Sequence, residues 1–181
     1  DVVLEADADI IGHINGGHTA LPDDQIVCLC ESCGRGLELV HNGNERAALL
    51  TLNSARELKQ LDRVILGTDG PAGSGAQPLG ILRMVALLSS LGNVAAETAF
   101  CFATGNTARM RGLDCGIIEV GRSADFALLD QAQHAPGKNI LESIQQGNLP
   151  GVGMTIIDGV VRSQRSRNTP PASRLPELVI G

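Results

Sequence analysis

The chain has 181 residues, 43% of them hydrophobic and 19% charged, enough for one globular domain or one domain and part of another. A net charge of −6, with three Phe as the only aromatic residues, argues against a nucleic-acid partner, which needs a basic face and stacking platforms. The longest apolar runs are about five residues, far short of the ~20 that span a bilayer, so no membrane partner is expected.

Residues 8–14 are a short apolar run closed by Asn15-Gly16-Gly17, read as a first strand. Pro22-Asp23-Asp24 starts a helix, because Pro suits the first turn and the carboxylates complement the exposed N–H groups. This helix carries Cys28, Cys30 and Cys33 and stops at Gly34 or Gly36. The three Cys lack a regularly spaced fourth ligand, so they read as reduced thiols on a helix, in keeping with a cytoplasmic location, rather than as a zinc knot. Residues 37–41 are a second strand, and Asn44 caps a helix over 45–61. A third strand over 63–68 leads into a Gly-rich loop, 70–75, that lacks the Lys-Ser/Thr of a phosphate loop.

Pro78 opens a helix to residue 91, apolar on nearly all sides and therefore buried. One further helix covers 94–111 and ends at Gly112. Residues 116–121 and 124–130 read as two strands joined by a tight turn, and 139–146 as a short helix stopped by Gly147. Residues 154–157 and 160–163 flank Asp158-Gly159, a two-residue hairpin signal. The tail around Pro170-Pro171 has no period and is expected to be irregular. Apolar strands alternating with helices predict an α/β fold with a parallel sheet covered on its faces.

His13 closes the first strand and Asp69 the third. In parallel α/β folds the ligand site lies at the carboxyl ends of the strands, so the pair is a candidate metal site, imidazole and carboxylate both suiting a divalent ion. The same residues also read as a satisfied loop His and a turn Asp before Gly-Pro. Two ligands do not complete a catalytic zinc site, which takes at least three. Asn15, Gly16, His41 and Ser74, at or just beyond strand ends, are candidates for contact with a substrate; His18 and His134 are weaker ones.

The segment Val64-Ile65-Leu66-Gly67-Thr68-Asp69-Gly70-Pro71 resembles the eighth-strand motif of the amidohydrolase superfamily. Ala103-Thr104-Gly105-Asn106-Thr107-Ala108-Arg109 is similar to that superfamily's helix before the tail sandwich, and Gly116-x-Ile118-x-x-Gly121-x-x-Ala124-Asp125 to its return into a small β-sandwich. The strings at His13–Gly17, Pro78–Arg83 and Ser166–Ala172 resemble enamidase-like members. The resemblance implies strands six to eight of a (β/α)8 TIM barrel over residues 1–112, then a β-sandwich segment and tail over 113–181. It implies His13 and Asp69 as ligands of Zn or Fe, one or two ions, with Asp69 as acid/base in hydrolysis of a cyclic amide or enamide. Dihydroorotase, hydantoinase, imidazolonepropionase and deaminase specificities are rivals, and so is an inactive fragment serving only in assembly.

The superfamily's His-x-His, its bridging Lys or Glu and one further His have no counterpart here. The chain is therefore expected to be a piece of a longer protein. Its open sheet is expected to pack against the missing half or a second copy of itself, as a homo-oligomer.

Overall fold

The computed structural model describes residues 2–17, 19–70 and 75–179. A first turn of helix, α1 (Val2–Glu5), leads to β1 (Ile10–Ile11), α2 (Asp23–Ser32), β2 (Gly36–Val40), α3 (Glu45–Glu57), a 3-10 turn (Leu61–Arg63) and β3 (Val64–Gly67). The three strands are parallel, in the order β1-β2-β3. Ile11 pairs with Leu37 across the first seam, and Leu37 to Val40 pair with Val64 to Gly67 across the second.

The period of two along each strand divides the sheet. Leu37, Leu39, Val64 and Leu66 point into the main core, against Ile26 and Leu29 of α2 and Leu52 of α3. Two later helices, α4 (Gly80–Ser90) and α5 (Ala96–Ala103), add Val85, Leu88 and Phe102 to the same cluster. The opposite face carries Gly36, Glu38, Val40, Ile65 and Gly67; Val40 and Ile65 are buried there too, outside the main cluster.

Capping is where the sequence foresaw it. The Asn44 side chain accepts from the Ala47 N–H at 3.0 Å and starts α3. That helix ends four residues before the expected position 61, because Lys59 turns to φ 58° and the chain tightens into the 3-10 turn. The single helix expected over 94–111 is two, α5 and α6 (Gly105–Arg111), divided at Thr104 (φ −120°, ψ −91°). Below the break the Asn106 side chain donates to the Leu61 and Val64 carbonyls at 3.0 and 2.9 Å, fastening α6 to the base of β3.

The remainder forms β4 (Phe126–Asp130), α7 (Ile140–Gln145), β5 (Gly151–Ile157) and β6 (Val160–Ser163), an antiparallel sheet in the order β4-β5-β6 with α7 between its first two strands in the chain. Asn139 caps α7 through the Glu142 N–H. Asp158 and Gly159 both take positive φ, 52° and 73°, the two-residue turn that matches strand twist. No strand forms over 116–121: Gly112, Gly116 and Gly121 all adopt left-handed φ and break the extended run, leaving Ile118 and Val120 on the surface. The tail is irregular but held, since Arg174 grips Asp130 through two 2.9 Å contacts and Ala172 bridges to Ala132. Among the described residues no helix is long and apolar enough to cross a membrane.

Candidate active site

The carboxyl ends of β1, β2 and β3 open on one side of the sheet, and the chain leaves two of them by an unusual route. His13 follows β1 at φ 36° and Asp69 follows β3 at φ 51°. Left-handed backbone is uncommon outside Gly, and it also occurs here in the turns at Asp7, Lys59, Asn93, His134 and Asp158; His13 and Asp69 differ in following two strands of one parallel sheet. Both side chains are exposed. β2 lies between them, so their backbones stand about two strand spacings apart, roughly 10 Å.

Each turn is braced. The Ile14 N–H donates to the Glu38 carbonyl at 3.0 Å, and the Gly16 N–H closes back on the His13 carbonyl at 2.7 Å. On the other side the His41 and Asn42 N–H groups continue the ladder to Gly67 and Thr68, and the Asn42 side chain donates to the Asp69 carbonyl at 3.0 Å.

Asn15 differs from its expected role. It is 1% exposed, and its amide is spent on backbone: Oδ1 accepts from the Val40 N–H at 2.9 Å, and Nδ2 donates to the Val40 carbonyl at 3.0 Å. It replaces a strand's hydrogen bonds where β1 has already turned away, so it builds the site and does not face a ligand. Gly43 makes room for it, since a Cβ there would lie 2.1 Å from Nδ2. Gly16 is likewise a turn residue, at φ 67° with Thr19 backbone against it.

His41 also departs from the expected crevice. Along β2 the core-facing positions are 37 and 39, and His41 continues that side. Its ring packs on Gly80 at the start of α4 and lines a separate cavity of about 380 Å³ with Glu45, Arg83, Met84, Leu87 and Leu149. Burial, and secondarily the Arg83 charge, hold it below the ordinary histidine value. His13 instead borders a cleft of about 1110 Å³ between α1, β1 and α2. Ser74 and His18 lie outside the described residues.

One residue escaped the sequence reading. Glu38, at the centre of β2, pairs with Arg111 of α6 at 2.5 Å and reaches the His13 N–H at 3.3 Å. Its signal was a lone carboxylate in the apolar run Leu37-Glu38-Leu39.

Among the described residues no three of His, Cys, Asp and Glu converge to hold a metal ion. His13 and Asp69 have the right chemistry for two positions of a divalent site, and other donors would have to close it. Cys28 and Cys30 lie on α2, while Cys33, expected on the same helix, is the extended residue just past its end. Cys28 is exposed; Cys30 is buried, which raises its pKa to about 11; and Cys33 receives an Arg63 N–H at 3.6 Å.

Comparison with known proteins gives this arrangement a context. Enamidase of Eubacterium barkeri is 36% identical over 179 residues, 99% of this chain and 46% of enamidase. A 5-methylthioadenosine/S-adenosylhomocysteine deaminase of Thermococcus onnurineus (strain NA1) is 34% identical over 137 residues, 70% of this chain and 32% of the deaminase. The crystal structure of enamidase, described as a member of the amidohydrolase superfamily, superposes with a TM-score of 0.93 over 96% of this chain and 45% of that one. A β-aspartyl dipeptidase from Fervidobacterium islandicum AW-1, 16% identical, shares the fold at a TM-score of 0.52. The chain thus spans less than half the length of the curated relatives it matches. The model of the amidohydrolase family matches residues 25–162, from within α2 into β6, and the chain belongs to that family.

Proposed function

We propose that this chain is the carboxyl-terminal portion of a hydrolase that opens a C–N bond in a cyclic amide or enamide. The observation that carries the reading is the pair His13 and Asp69, each turned left-handed at the end of a parallel strand with β2 between them. Family membership and the similarity to enamidase support it. In this reading residues 1–112 are the last three βα units of a TIM barrel and residues 113–181 contribute to a small β-sandwich. The partner is the remainder of the barrel, in the same protein or in a second copy, which covers the open edge of β1.

His13 and Asp69 would hold a divalent ion, Zn or Fe, together with donors from the other strands. When bound, that ion supplies Lewis acidity to the scissile carbonyl and the attacking water. The Asp69 carboxylate takes a proton from the water as its oxygen bonds to the carbonyl carbon. It then returns that proton to the nitrogen as the C–N bond breaks, so one group serves as base and then acid. The exposed, left-handed seat of Asp69 leaves both carboxylate oxygens free of the sheet's own ladder.

In the complete enzyme Asp69→Asn should lower hydrolysis of a cyclic enamide about 10²–10⁴-fold, the usual contribution of a positioned acid/base. Zinc or iron content by elemental analysis should fall with His13→Ala. An Asp69→Asn enzyme of undiminished rate would overturn the reading. Turnover of an aminopurine nucleoside in place of the enamide would assign the deaminase specificity instead.

A further inference from the structure

Glu38 is the one charged side chain among the strand residues of the parallel sheet. It projects from the face opposite the apolar core, and its side chain is only 15% exposed. Both neighbouring strands present glycine to it. A Cβ at Gly67 would lie 2.9 Å from Oε1, and one at Gly12 would lie 3.6 Å from Oε2. The carboxylate therefore occupies a slot that a side chain at position 67 would crowd, with one oxygen toward each flank.

Each oxygen has a partner. Oε1 takes the Arg111 guanidinium at 2.5 Å, and Oε2 takes the backbone N–H of His13 at 3.3 Å. The Glu38 backbone also acts on the same turn, because its carbonyl accepts from the Ile14 N–H at 3.0 Å. A single residue thus holds the N–H groups on both sides of the His13 side chain, and those two bonds, with the Gly16 N–H on the His13 carbonyl, brace the turn at φ 36°.

We propose that Glu38 is a positioning residue for His13, with Arg111 as its anchor. It touches no reacting atom in this scheme. It sets the direction of the imidazole, as outer-shell partners of a ligand do. The proposal rests on the reading of His13 as a ligand, and it gives a role to the Arg at the last position of α6 and to glycine at position 67. The charged groups in contact with Glu38 are Arg111 from α6 and, through its backbone, His13 from the end of β1.

The test uses the intact protein labelled with [15N]histidine. At constant pH, removing the acceptor of the His13 N–H in Glu38→Ala should move the His13 amide signal. Glu38→Gln, which keeps an oxygen acceptor at that place, should leave the signal closer to that of the unaltered protein. A zinc competition titration should give a Kd weakened about 10–100-fold in Glu38→Ala, with Arg111→Met weakened in the same direction and Glu38→Gln closest to the parent. A His13 amide signal indifferent to Glu38→Ala, or an unchanged zinc Kd in Glu38→Ala, overturns the proposal. Should Glu38→Ala fail to fold, the His13 amide signal and zinc Kd of Arg111→Met decide in the same way. Zinc affinity untouched by His13→Ala would instead sink the metal reading, while the amide signal continues to report on Glu38 independently.

Discussion

Replacing Asn15 by Ala removes two bonds that sit inside the protein. The Val40 N–H has Asn15 Oδ1 as its acceptor, and Val40 is 2% exposed, so water does not take its place. The Val40 carbonyl loses Nδ2 but keeps the Gly43 N–H at 3.2 Å. A stranded buried N–H costs about 1–3 kcal/mol and a lost bond to a still-satisfied carbonyl about 0.5–1.5, giving ~2–4 kcal/mol in all. At ~2–4 °C per kcal/mol for a chain of this size, the melting temperature should fall by about 5–15 °C. Asn15→Asp retains the acceptor but turns a buried carboxylate toward the Val40 and Asn44 carbonyls, and should fall at least as far. Circular dichroism melts measure the loss, and hydrogen exchange at the Val40 amide locates it. A drop under about 2 °C with the Val40 amide still protected would refute the account of Asn15 as a clamp.

Arg174 holds Asp130 well below the usual carboxylate range, at about 2. A depressed folded pKa gives stability that is full above pH ~4 and lost as pH falls toward 2, so Asp130→Asn should flatten the acid limb of stability in that window. Equilibrium denaturation at a series of acid pH values checks it. Thiol labelling should separate the cysteines: exposed Cys28 and Cys101 react in the native state, while Cys30, buried and raised to about 11, reacts only on unfolding. Mass mapping of a timed alkylation reads the order. Phe102→Ala, at a position 1% exposed in the main core, should cost ~3–5 kcal/mol in a urea melt.

Much of this architecture was legible because its signals are local. Asn44 and Asn139 cap helices through their own side chains, and Asp158-Gly159 needs only two residues to make a hairpin. The apolar runs placed strand ends at His13 and Asp69, whereas β1, expected over 8–14, is only Ile10–Ile11, and β3 stops at Gly67, so each residue sits two positions past its strand. What failed depends on partners distant in the chain. The break at Thr104 serves a contact from Asn106 to β3, some forty residues earlier. The role of Asn15 depends on Val40, and the side of the sheet that His41 faces depends on where the core lies. Glu38 reads as an oddity within β2 until Gly12, Gly67 and Arg111 surround it.

The division at Thr104 sets a limit on how this family portion can vary. An unbroken helix over 94–111 would be about 27 Å long and would carry its last turn well beyond the sheet. Folded in two, the same residues return Arg111 to the strands and leave the exit at Gly112 beside them. Lengthening α5 by a turn would therefore pull Arg111 out of reach of Glu38, whereas an insertion in the exposed stretch after Gly112 would leave that reach unchanged. The joint works as a ruler: it sets the spacing from core helix to strand without involving the antiparallel sheet.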